Sequence, residues 1–163
     1  MTENPQKYSN VLPIWKFALF SVASLGIYEL YWNYKSWTFF KKRDDLEISP
    51  FWRTFFMPLF MMSLFTRYSD MLKAEGYSAD YPTLFLVFFW VGMNLISRYE
   101  DPIWLVSYLS FLAFIPVLNA VNAYWRGKAP GLPEKPLTLG QTVLLIAGVV
   151  FFSLFVMGTF IPA

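Results

Sequence analysis

The sequence predicts an all-α, polytopic membrane protein with about four transmembrane helices and one interfacial or re-entrant helix. Composition is the first reason. Of 163 residues, 56% are apolar, 21% aromatic and only 15% charged. A soluble domain averages nearer a quarter charged, and one core of this size could not hide so much ring surface. The second reason is that charges fall between long uncharged runs rather than along them. The third is that Lys and Arg are unevenly shared between the gaps, as membrane orientation demands.

The first expected span covers 17–34, where Phe17 to Tyr34 is interrupted only by Glu29. Lys7 and Lys16 precede it, and Ser21-Val22-Ala23 resembles a signal-cleavage site. The apolar stretch before that site is too short for a signal peptide and the aromatic run continues past it, so it reads as an uncleaved span.

The next apolar stretch, Thr54 to Thr66, has 13 uncharged residues, carries Pro58 and is bounded by Arg53 and Arg67. As a helix it covers about 20 Å, short of a bilayer core. Ser49-Pro50 suits an N-cap followed by proline at the first helical position. Ser63, Thr66, Arg67, Asp70 and Lys73 share one helical face. The expectation is a helix over 50–73 lying on the membrane face, apolar side in lipid. A short, kinked true span, making five in all, is the alternative.

Three further runs complete the pattern: a span at 81–97, a span at 103–125 kinked by Pro116, and a span at 138–160. Between the last two, Pro130, Pro133 and Pro136 with Gly127 and Gly131 predict an extended connector. Thr138-Leu139-Gly140-Gln141 reads as a capping box opening the final span. That span lacks a GxxxG motif, so a tight glycine-packed dimer is not indicated. Placing 50–73 on one face divides the 13 basic residues 10 to 3, whereas a fifth crossing divides them 7 to 6. The first division puts 36–80 in the cytoplasm and both termini outside.

A weak internal repeat is also visible. Pro13-Ile14-Trp15 recurs as Pro102-Ile103-Trp104, and Tyr31-Trp32 as Tyr124-Trp125. A duplication on this pattern would be parallel.

Chemistry is constrained by absence. With no Cys and no His there is no thiolate or imidazole metal site, no disulfide and no Ser–His–Asp triad. No cofactor or metal is implied, and a net charge of +2 does not suggest nucleic acid. Glu29 is the one acid within an apolar run and is therefore the candidate polar centre. Asn33 lies one turn on, and Asn119, Asn122 and Arg126 share a face of the third span, so the five could form an interhelical cluster. Structural glue is its first reading, catalysis its second. Lys41, Lys42 and Arg43 are candidate contacts for anionic headgroups, offset by Asp44, Asp45 and Glu47.

The stretch Ser24-Leu25-Gly26-Ile27-Tyr28-Glu29-Leu30-Tyr31-Trp32-Asn33-Tyr34-Lys35 resembles an "LG-aromatic-x-x-YW-x-YK" motif of small bacterial multi-pass inner-membrane proteins of unknown function. Ile48-Ser49-Pro50-Phe51-Trp52-Arg53 and Ala120-Val121-Asn122-Ala123 are similar to its continuation. The resemblance implies a bacterial inner-membrane setting and carries no activity. The expected role is non-enzymatic: a small accessory or scaffold protein whose partners are the bilayer and a membrane protein or a second copy. A transporter or channel component using the Glu29 cluster and a membrane enzyme acting on lipid or isoprenoid substrates are the alternatives.

Overall fold

The computed structural model describes residues 11–100, 102–128, 137 and 139–159. The capping box at Thr138 and the proline connector beyond Lys128 lie outside them. Among the described residues every regular element is helical. In order these are α1 (Ile14–Ala23), α2 (Ile27–Arg43), α3 (Pro50–Phe55), α4 (Met57–Ala74), α5 (Thr83–Ile96), a 3-10 helix (Ile103–Phe114), α6 (Ile115–Lys128) and α7 (Leu139–Thr159). Two stretches, Ile103–Lys128 and Leu139–Gly158, are long and apolar enough to cross a bilayer.

The first expected span is not one helix. The Gly26 amide donates to Ser21 O (2.8 Å) and the Leu25 amide to Val22 O (3.1 Å), which closes α1 in a Schellman motif. Leu25 and Gly26 both take positive φ, 54° and 85°. Ser24 Oγ then accepts the Tyr28 amide at 2.9 Å and starts α2. The chain folds back on itself here: Phe20 stacks on Tyr28, and Phe17 meets both Tyr28 and Trp32 edge-on. The Leu25-Gly26 pair of the motif is thus a reversal point, and α2 runs from it about 25 Å to Arg43.

The 50–73 segment begins as expected, with Ser49 capping Trp52 N and Pro50 at the first helical position. It then breaks at Phe56, because Pro58 has no amide to give and its ring would strike the carbonyl of Thr54. The expectation of an apolar side in lipid needs correction along most of this length. Met61, Leu64, Phe65, Tyr68 and Leu72 of α4 are almost wholly buried in the protein's own core. Tyr68 stacks on Trp32 and Phe39 and meets Phe40 edge-on. Each such side chain contributes about 1.5–3 kcal/mol by burial. Only the start keeps an apolar outer face, at Phe51, Trp52, Phe55, Phe56, Leu59 and Met62.

The third span is continuous but changes pitch. Its first 12 residues are 3-10, and α geometry begins at Ile115, next to Pro116. Proline sits readily in a first helical turn, so the expected kink appears as a change of helix type. Gly127 and Lys128, expected in the connector, belong to α6. The repeat does not carry into the fold: Pro13 precedes a hairpin arm and Pro102 a long continuous segment.

The two ends of the molecule differ in charge. At one end Asp44 pairs with Arg43 and Arg67, Lys73 with Asp80, and Lys128 with Glu75 at 2.7 Å. Leu12 belongs to this end, since its amide and carbonyl both bond the Asn122 side chain at 2.8 Å. The amino-terminal residues described here therefore sit with the basic loops, against the expectation that they lie across the membrane from them. The other end carries the Gly26 turn and the C-terminus of α5.

Candidate functional site

Glu29 is placed by the reversal. Because Gly26 is the N-cap of α2, Glu29 falls in the first helical turn, where the helix dipole favours an anion. Its side chain is 3% exposed and points inward. Trp90 Nε1 donates to Oε2 at 2.7 Å, and Ser110 Oγ donates to Oε1 at 3.0 Å. Both contacts suit an ionised, acceptor-only carboxylate.

The expected five-residue cluster does not form around it. Asn33 is buried on the same face of α2 but accepts from Thr54 Oγ1 at 3.3 Å. Asn122 is taken up by Leu12, as above. Asn119 and Arg126 are exposed on α6. The physical reason is the hairpin: it sends the N-terminus of α2 to the end of the molecule away from Arg126. Lys41, Lys42 and Arg43 are exposed in the last turn of α2, where cations suit the helix dipole. Arg43 lies 3.8 Å from Asp44, as their opposite charges in sequence suggested.

The residues that do surround Glu29 form a partly open cavity of about 500 Å3. Its walls come from α1 (Ser21), the turn (Leu25, Gly26), the end of α5 (Asn94, Ser97), Tyr99, the 3-10 helix (Trp104, Ser107, Tyr108, Ser110) and α7 (Phe155). The 3-10 helix explains the serines. With three residues per turn, positions 104, 107 and 110 eclipse one another and form a single column. An α-helical reading of the same sequence spreads them over more of the surface. Their spacing of three was the available signal. Asn94 Nδ2 bonds Trp90 O at 2.9 Å, and Ser97 Oγ bonds Asn94 O at 2.6 Å.

Beneath Glu29 the interior is closed by rings. Phe17, Trp32 and Phe114 lie with centroids 5.3 to 6.1 Å apart, and Phe65 meets Phe114 at 5.7 Å. These rings pack the core next to Glu29, and none of them lines the cavity. Comparison with protein-family models, curated proteins and solved structures finds no match.

Proposed function

We propose that this chain is an integral protein of a bacterial inner membrane, acting without catalysis as an accessory or scaffold through helix and lipid contacts. One observation carries the reading: α7 has no buried residue over Leu139–Gly158, yet it is uncharged throughout and apolar apart from Gln141, Thr142 and Ser153. Such a face is unfavourable in water and is stabilised by lipid or by another helix. The apolar stripe of α3 and the outer residues of α5, among them Leu84, Phe85 and Phe88, extend that surface. In this arrangement the α1–α2 hairpin, α5, the 103–128 segment and α7 lie in the bilayer. The basic end faces the cytoplasm, as positive charge does in membrane proteins. The inner-membrane assignment rests on the resemblance carried by residues 24–35.

Fractionation tests the setting: the chain should sediment with membranes and resist alkaline carbonate extraction, and recovery in the soluble fraction would sink the reading. Purification in mild detergent tests the role: a stoichiometric protein partner or a defined homo-oligomer should accompany the chain. A monomer with no partner would count against a scaffold. The transport reading is less well supported, because the expected polar cluster around Glu29 does not form: Asn33 accepts from Thr54 and Asn122 is bonded to Leu12.

A further inference from the structure

We propose that the cavity beside the Gly26 turn binds a small organic ammonium ion, its nitrogen against Glu29 and its carbon framework against the rings of Trp104, Tyr108 and Phe155. The role goes beyond scaffolding and does not depend on it. The argument begins with charge. Among the described residues the walls hold one acid, Glu29, and no base. Among the same residues Glu29 is bonded by two neutral donors and paired with no cation. A carboxylate offers about four acceptor sites, so two remain unused. A buried charge without a counter-charge is costly, and a cation in the cavity supplies one.

The second observation is a surplus of acceptors. Ser21 is 2% exposed and lines the cavity, and its hydroxyl has no hydrogen-bond partner. Buried hydroxyls are nearly always satisfied, so an orphan facing a cavity marks a place for a ligand atom. Asn94 spends its amide nitrogen on Trp90 O, which leaves its side-chain oxygen as an acceptor. An ammonium group brings only donors and matches this set.

The third observation is aromatic. Trp104 and Tyr108 line the same space, and aromatic faces attract cations. An anion would meet Glu29 unfavourably. A neutral polyol could bond the hydroxyls but would leave the carboxylate uncompensated. A volume of about 500 Å3 falls within the range of small-molecule sites.

Benzylammonium and its neutral isostere benzyl alcohol test the proposal on the full chain in mild detergent, with calorimetry and tryptophan fluorescence as readouts. Benzylammonium should bind saturably, tighter than about 1 mM, with benzyl alcohol at least about tenfold weaker. Glu29→Gln, checked for folding by its melting temperature, should lose about tenfold or more in benzylammonium affinity. Trp104→Leu leaves the bonds to Glu29 in place and should weaken the same probe several-fold; if Glu29→Gln does not fold, this variant and the alcohol comparison decide the matter. The proposal is overturned by equal binding of alcohol and ammonium, by unchanged affinity in either folded variant, or by no saturable binding to the wild-type chain.

Discussion

Replacing Glu29 with leucine takes the acceptor from two buried donors, Trp90 Nε1 and Ser110 Oγ. Each orphaned donor costs about 1–3 kcal/mol, partly offset because a buried charge also disappears. Glu29→Leu should therefore lower the detergent melting temperature, and Glu29→Gln should lower it less, since its oxygen still accepts from one donor. Arg126→Leu should not restore the leucine variant, because the hairpin holds the two residues at opposite ends of the molecule. Additive losses in the double mutant are expected, and a restoring effect would contradict the geometry. A second residue-scale effect concerns Glu75. The hydrogen bond and charge of Lys128 hold its carboxyl below the ordinary range. A depressed carboxyl contributes stability above its unfolded value and loses it as pH falls through the folded one. The difference in melting temperature between wild type and Glu75→Gln should be present at about neutral pH and vanish on acidification. It should be small and shrink with added salt, as both groups meet solvent. Glu29 was legible as a polar centre because it alone breaks an apolar run. Its partners were not, since a tryptophan and a serine announce no charge and reach it through long-range packing.

At the scale of elements, short-range signals carried over and long-range ones did not. Ser49-Pro50 capped a helix as read, because capping is decided within four residues. The break at Gly26 was missed because an uncharged aromatic run looks the same whether it continues or folds back. Leu25-Gly26 was the clue, a pair suited to a Schellman close. Glycine packing was missed in another sense. The final span has no GxxxG, yet a Cβ at Gly148 would lie 2.5 Å from the carbonyl oxygen of Ala23. Backbone cannot yield as a side chain would, so Gly148→Val should push α7 away from α1. The rings that hold α7 to the 3-10 helix should separate with it; the ring centroids of Trp104 and Phe155 are 4.9 Å apart. The chain has no native cysteine, so a Trp104→Cys, Phe155→Cys pair should be bridged by a short bismaleimide, which spans the gap that the two rings fill. The same pair combined with Gly148→Val should not, and undiminished cross-linking would show that the contact is dispensable. Asn122 offers a parallel test. It satisfies both backbone groups of Leu12, so Asn122→Ala should cost about 1–3 kcal/mol of thermal stability. Asn122→Asp keeps the acceptor for the Leu12 amide but loses the donor, and should fall between.

For the whole molecule, the uneven spread of basic residues foretold two unlike ends, while the path of the chain between them was miscounted by one reversal. Taking 17–34 as a single crossing places the amino-terminal residues opposite the loops that carry Lys41, Lys42, Arg43, Arg67 and Lys73. The hairpin returns them to the same end, where Leu12 is bonded to Asn122, close along α6 to Arg126 and Lys128. Arg98 is then the basic residue left near the Gly26 end among the described residues, beside Ser97 and Tyr99 of the cavity wall. The charge asymmetry thereby becomes steeper than the linear reading allowed, which is the direction membrane orientation favours. Single cysteines at Val11, Asp45, Lys128 and Glu100 separate the two arrangements. With a membrane-impermeant maleimide, Glu100→Cys should label in intact cells, while the other three should label only in inside-out vesicles. Labelling of Val11→Cys together with Glu100→Cys would restore a single crossing at 17–34 and refute the hairpin. Labelling of Asp45→Cys and Lys128→Cys from opposite sides would refute the shared basic end. If the expected pattern holds, the Gly26 turn and the cavity beside Glu29 lie at the outer end of the molecule, and an ammonium ligand would come to them from outside the cell.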